Sequence, residues 1–153
     1  YTTPAALAGA PLSHVEELVF STGFFRQKAS AVVSLAQDLT EKFDGEVPDQ
    51  LDELVTLRGV GRKTASVVLA EAFDKPAIAV DTHVARTTNR IGLVSNSDPV
   101  KIETDLKALY PPELWAGVSF RFIQFGRDVC AARSPRCQDC EMVKLCDYED
   151  KKL

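Results

Sequence analysis

Leu57-Arg58-Gly59-Val60-Gly61-Arg62-Lys63-Thr64-Ala65 is the stretch on which the fold of this chain turns. Two glycines, two apart, separate one helical pattern from the next, and a lysine follows two residues later. Glycine lets the backbone turn tightly and lets another molecule come close to it. The pattern predicts a helix, a hairpin and a second helix that begins near Arg62. The first N–H groups of that second helix have no partner within it and point back toward the hairpin, where an anion's oxygens would find them. Lys63 is then expected in the first turn, beside an anion site. A tight turn packed only for shape is the competing explanation of a G-x-G pair.

Working outward, nearly every segment reads as helix. Thr3-Pro4 has the form of a cap followed by proline at the first helical position. Ser13 with Glu16 has the form of a capping box. Arg26 to Phe43 carries Ala29, Val32, Val33, Ala36, Leu39 and Phe43 at helical spacing, and Gly45-Glu46-Val47-Pro48 ends it. Asp81 and Asp98-Pro99 open two further helices. A last one carries Leu114, Trp115, Val118, Phe122, Ile123 and Phe125 toward Cys130. Ile78-Ala79-Val80 is apolar but too short to predict a sheet. The fold class is all-α, with a lobe boundary at the Asp74-Lys75-Pro76 loop, so that residues 1–75 hold the hairpin (57–65) and residues 76–153 the remainder.

Composition narrows the function classes. At 153 residues, 45% hydrophobic and 26% charged, the chain has the make-up of a globular protein, with no apolar run long enough to span a membrane. The net charge of −4 argues weakly against a nucleic-acid partner. Its distribution argues the other way. Residues 57–90 carry 6 basic and 3 acidic side chains, and residues 121–140 carry 4 and 2, whereas residues 1–56 carry 3 and 9. Binding of a polyanion follows the local field rather than the whole-chain charge. Solvated helix faces would produce similar runs.

All four cysteines, Cys130, Cys137, Cys140 and Cys146, fall in the spacing C-x6-C-x2-C-x5-C. Four thiolates on one short loop suit an iron–sulfur cluster or a zinc ion. Only Cys137 and Cys140 have the close pairing usual for zinc, and the longer arms favour the bulkier group. Disulfides rank third, since a chain of this size does not need such staples. Arg127, Arg133, Arg136 and Lys144 are expected to surround the group and offset its negative charge. The group's physical role would be to cross-link a segment too short to form a core.

Lys63 and Asp81 are the candidate reacting groups. A helix N-terminus carries partial positive charge and Arg62 a full one, so the surroundings disfavour an ammonium, and burial in a cleft would act in the same direction. A free amine attacks carbon. The plainer alternative is a lysine acting as a point charge on phosphate. Asp81 can simply cap its helix. It can also serve as a carboxylate facing Lys63 across the lobe boundary, accepting a proton or stabilising a cation. His83 is expected to contact phosphate or to orient its neighbours.

Together these residues resemble the endonuclease III family of DNA repair glycosylases. The resemblance runs from about Phe24 to Tyr148. It rests on Gly45-Glu46-Val47-Pro48, the Leu57–Ala65 hairpin, Ile78-Ala79-Val80-Asp81-Thr82-His83, Gly126-Arg127 and the full cysteine spacing. It implies two all-α lobes with DNA bound across the cleft, and a lobe boundary near Lys75. It implies a glycosylase with lyase activity, acting as a cytoplasmic monomer on double-stranded DNA that contains oxidised pyrimidines or abasic sites. Lys63 would be the nucleophile and Asp81 the second catalytic group. Arg58, Gly59, Val60, Gly61, Arg62 and His83 would contact DNA, and the four cysteines would hold a [4Fe-4S] cluster. The similar adenine-mismatch glycosylases generally lack the lysine at position 63.

Three departures accompany the resemblance. The amino-terminal part of the family fold, which carries a polar wedge for the gap left by the flipped nucleotide, is expected to be absent. Arg58 stands where proline is usual, which is expected to loosen the turn slightly while adding a cation that faces phosphate. Ser66 stands where asparagine is common. The alternative function is a non-catalytic iron–sulfur module that only holds DNA, and an electron carrier ranks below both.

Overall fold

A computed structural model describes residues 1–151 and 153. Every α or 3-10 element among them is helical and no strand occurs, as the sequence predicts. No helix among the described residues is long and apolar enough to cross a membrane. The chain forms two compact units, Tyr1–Ala65 and Ser66–Leu153, so the division falls upstream of the Lys75–Pro76 loop.

In the first unit, helices α1 (Pro4–Ala8) and α2 (Leu12–Leu18) pack on the long helix α3 (Phe25–Lys42), and α4 (Leu51–Leu54) leads to the hairpin. Thr3 caps α1, its Oγ1 accepting from the Ala6 N–H at 3.2 Å. The Ser13–Glu16 box does not form. Pro11 holds the cap position of α2, its carbonyl taking the first N–H groups, so Ser13 already lies inside the helix. Gly45 ends α3 at φ 82°, where its N–H returns to the Leu39 carbonyl at 2.9 Å. The buried face of α3 also differs from the apolar pattern. Val32 is 37% exposed, whereas Asp38 is buried alongside Ala29, Ala36 and Leu39.

In the second unit, α6 (Thr82–Arg90), α7 (Pro99–Leu109) and α8 (Trp115–Asp128) enclose Ile78, Val80, Val84, Val94, Ile102, Leu106 and Val118. Residues 77–80 are buried without being a strand. The Ala79 N–H there donates to Ser119 Oγ on α8 at 2.8 Å, which satisfies a backbone group that a sheet would otherwise serve. Thr87 and Thr88 are wholly buried on α6, each hydroxyl donating to a carbonyl one turn back at 2.8 Å. Gly126 lets α8 lie directly on α6. A Cβ at that position would stand 3.0 Å from Arg86 Nη2 and 3.1 Å from both His83 Cβ and Thr87 Cγ2.

Candidate functional site

The hairpin joins α4 to helix α5 (Arg62–Ala72). Leu54 and Leu57 anchor its entry, at 1% and 3% exposure, and the Val60 N–H closes the turn onto the Leu57 carbonyl at 3.0 Å. Val60 therefore offers no amide outward. Gly59 and Gly61 differ from it, since their N–H groups donate to nothing among the described residues. They also differ from each other. Gly59 has φ 82°, and a Cβ there would meet the Ala31 Cβ of α3 at 3.3 Å. A Cβ at Gly61 would enter open space. Gly59 thus shapes the turn, and Gly61 leaves its outer side clear. The Gly61 carbonyl accepts the Ala65 N–H at 2.9 Å and starts α5.

Lys63 occupies the first turn of α5, as the sequence predicts. Its side chain is exposed, so the expected burial in a cleft does not occur within its own unit. Arg58 does not loosen the turn. Its backbone N–H donates to Asp38 Oδ2 at 2.7 Å and its Nε to the same oxygen at 3.1 Å, while Nη2 reaches Gln37 Oε1 at 3.4 Å. Lys42 Nζ pairs with the other carboxylate oxygen of Asp38 at 2.9 Å. The hydrogen bonds from Arg58, then that from Lys42, hold the Asp38 carboxyl well below the usual carboxylate range against the opposing effect of its burial. The bond to Asp38 in turn raises Arg58 above its ordinary value.

Asp81 caps α6 from an extended backbone, with Oδ1 accepting the His83 N–H at 2.8 Å and the Val84 N–H at 2.9 Å. Its Oδ2 accepts no hydrogen bond from the described residues. One carboxylate therefore serves the helix with one oxygen and keeps the other available. His83, half-buried, turns Nδ1 toward Arg86 Nη2 at 3.2 Å. A guanidinium only donates, so Nδ1 accepts and the ring proton sits on Nε2. Arg86 continues to the end of α8, donating from Nη2 to the Gly126 carbonyl at 2.9 Å and from Nε to the Cys130 carbonyl at 3.1 Å. His83 is thus tied to an internal cation through one ring nitrogen, and only the other is left for an outside partner.

Cys130, Cys137, Cys140 and Cys146 are free thiols, and all four line one small cavity of about 20 Å³ together with Ile91, Phe125 and Val143. Among the described residues no three cysteine, histidine or acidic side chains are grouped so as to hold a metal ion. All four cysteines therefore border one shared space.

The cations around this cavity are not those the sequence nominates. Arg127, Arg133, Arg136 and Lys144 are exposed, although Arg136 borders the cavity. The contact to sulfur comes from Arg90 at the end of α6. Its Nη1 approaches Cys130 Sγ at 3.6 Å and donates to the Ala131 carbonyl at 2.8 Å. Its Nη2 donates to the Ala132 carbonyl at 3.1 Å and to the Tyr148 hydroxyl at 3.3 Å, and the guanidinium lies 4.2 Å from the centre of the Tyr148 ring. The Cys146 thiol donates to the Arg90 carbonyl at 3.2 Å. Gly92, at φ 82°, admits the residue after Cys146, since a Cβ there would fall 1.9 Å from Asp147 Oδ2. The sequence offers one signal for Arg86 and Arg90. They lie four apart, on one face of a helix whose start Asp81 marks.

Comparison with known proteins bears on the family and the fold. Residues 1–112 match the model of the HhH-GPD superfamily of base excision DNA repair proteins. The chain is 48% identical over 147 residues to the endonuclease III of Synechocystis sp., spanning 95% of this chain and 67% of that protein. It is 43% identical over 148 residues to that of Thermotoga maritima, spanning 97% and 70%. Among solved structures it resembles a trapped endonuclease III–DNA covalent intermediate, with a TM-score of 0.91 at 43% identity over 95% of this chain and 69% of that one.

Proposed function

This chain belongs to the HhH-GPD superfamily of base excision DNA repair proteins and, within it, to the endonuclease III family, and from that premise we infer that it is a DNA glycosylase with AP lyase activity. Its partner is DNA. The substrate class we propose is duplex DNA carrying an oxidised pyrimidine or an abasic site. The observation that carries the reading is an exposed lysine, Lys63, in the first turn of α5, directly after a hairpin whose Gly59 and Gly61 amides face no partner.

Those amides, with Arg62 and the start of α5, bind phosphate oxygens and position the duplex without reading its sequence. The damaged nucleotide leaves the stack, since its C1′ is otherwise out of reach, and damage lowers the cost of extrusion. Lys63 Nζ attacks C1′, and the bond from C1′ to the base breaks with its electron pair leaving on the base. Asp81 takes the proton that the attacking amine gives up, through the oxygen that its cap leaves unbonded. The sugar ring opens to a Schiff base on Lys63. Loss of a proton from C2′ then expels the 3′ phosphate and cleaves the strand by β-elimination.

We further propose that Cys130, Cys137, Cys140 and Cys146 hold a [4Fe-4S] cluster. When bound, the cluster ties together a tail that has little apolar core of its own. Arg90 supports this reading, since it places a cation against the one sulfur it contacts and fixes the carbonyls of Ala131 and Ala132.

Borohydride trapping on a duplex containing thymine glycol tests the nucleophile. The wild-type chain should yield a covalent adduct and Lys63→Gln none. Equal trapping by the variant would remove Lys63 from the mechanism. Asp81→Asn should bind the same duplex and turn it over far more slowly; an undiminished rate would leave Asp81 only its capping role.

A further inference from the structure

The most deeply buried charge in the first unit belongs to no reacting group. The side chain of Asp38 is 3% exposed, yet it carries three hydrogen bonds from two cations. Two of the three, the backbone N–H and Nε of Arg58, converge on the same oxygen. We propose that Asp38 is a positioning residue for the hairpin, and that the guanidinium of Arg58 holds the loop to α3 in place of contacting a DNA phosphate. This rests on the DNA-binding reading of the hairpin given above.

The hairpin touches α3 at two places. Gly59 lies over Ala31, where no Cβ fits without displacing its neighbour. Arg58 reaches Asp38. Ala31 and Asp38 are seven residues apart, two turns along one face of the helix. One contact is steric and the other polar. Two points separated along a rigid helix fix both the height and the direction of a loop, whereas either alone would leave it free to pivot. A backbone N–H bonded to a carboxylate is a strong, directional contact. Because it comes from the residue next to Gly59, it sets where the outward amides of Gly59 and Gly61 are presented. Lys42 completes the arrangement by engaging the second oxygen, so the buried carboxylate faces cations on both sides and adopts its charged form.

The proposal predicts a sign that plain electrostatics would not. A carboxylate beneath a phosphate-binding loop should oppose DNA, and its neutralisation should tighten binding. If Asp38 positions the loop, Asp38→Asn should weaken binding instead. The probe is a duplex oligonucleotide with a tetrahydrofuran abasic analogue, titrated at several potassium chloride concentrations. Asp38→Asn should lose at least about fivefold in affinity at every concentration, within the range expected when a charged hydrogen bond is replaced by a neutral one. Arg58→Gln should keep the wild-type dependence of log K on log salt. If Arg58 were a phosphate contact, that slope would fall by about 0.9.

A readout without DNA accompanies these. The Arg58 amide should exchange slowly with deuterium in the wild-type chain and lose protection in Asp38→Asn. Tighter binding by Asp38→Asn, a slope reduced by one counterion in Arg58→Gln, or a rapidly exchanging Arg58 amide in the wild type would each overturn the proposal. If Asp38→Asn fails to fold, the salt slope of Arg58→Gln and the wild-type amide still decide it. A wild-type chain that does not bind the duplex, with its Arg58 amide protected, would count against the repair reading and not against Asp38 as the anchor of the loop.

Discussion

The hairpin and the cysteine tail are both short, irregular segments that must hold a fixed shape, and they achieve it by opposite means. The hairpin is set by its own chain: two buried leucines at its entry, a left-handed glycine pressed on Ala31, and a backbone amide bonded to Asp38. The tail has Val129, Pro135 and Val143 around its cavity and few other apolar side chains. Its carbonyls are held instead by Arg86 and Arg90, both reaching from α6. A loop preorganised by packing and hydrogen bonds within its own unit needs no ligand to keep its shape. A loop built of thiols around a space, held by borrowed cations, depends on what fills that space. The difference matches the proposed tasks, since the hairpin must stand ready for a polymer that comes and goes, and the tail encloses a group that stays.

The largest test of this contrast removes one thiol. Cys137→Ala, or removal of the proposed cluster by chelation and oxidation, should open the tail while the Arg58 amide keeps its protection. Arg133, Arg136 and Lys144 are already exposed, so tryptic cleavage after them should accelerate at least about tenfold, following the population of the opened form. Uniform loss of protection in both regions would break the contrast. Next in size is Arg90→Ala. Ala131 and Ala132 would lose the donor to their carbonyls, and the unfolding free energy should fall by about 2–3 kcal/mol. Arg90→Lys should recover little, because an ammonium cannot reproduce the fork that meets both carbonyls and the Tyr148 ring. The loss of visible absorbance on storage in air provides a second reading, and should be faster in both variants.

What could be read from sequence divides along the same line. Local devices were legible. The hairpin glycines, the caps at Thr3, Asp81 and Asp98 and the cysteine spacing all act over a few residues, and the structure contains each of them. Devices whose two halves lie far apart were not. Asp38 sits beside Leu39 on the buried face of a helix, and its partner is 20 residues away. Arg90 meets Ala131 41 residues on, so composition pointed to nearer cations that prove to be exposed. Gly92 carried no signal in the chain and Gly126 only that of the family resemblance, and the approach of Asp147 and of α6 shows why neither position accommodates a side chain. The Ser13–Glu16 box fails for a local reason, because Pro11 starts the helix earlier.

Within the hairpin the two glycines offer a finer test. Gly59→Ala forces a Cβ into a left-handed conformation and against Ala31, and should lower stability by about 1–2 kcal/mol. Gly61→Ala adds a methyl group to open space at no such conformational penalty, so a thermal melt should barely move. Its effect should appear in DNA affinity, because the methyl group occupies the side from which a phosphate would approach. A Gly61 variant that melts early and binds normally would reverse the roles assigned to the pair.

The smallest effect, and the most selective, is acid titration of the anchor beneath the hairpin. Asp38 is held well below its ordinary range by Arg58 and Lys42 in the folded chain, whereas an unfolded aspartate titrates near about pH 3.9. Below that value the unfolded chain binds a proton that the folded chain still refuses, so acid draws the equilibrium toward unfolding. The contribution of Asp38 is therefore complete above about pH 4 and is lost progressively as the pH falls toward its folded value. Urea midpoints of the wild-type chain and Asp38→Asn should lie apart at neutral pH and converge on acidification. Arg90→Ala should instead stay parallel to the wild type over the same interval, because the carbonyls of Ala131 and Ala132 that Arg90 holds do not titrate. Convergence confined to the hairpin variant would separate a loop held by a buried anion from one held by a cation on backbone carbonyls.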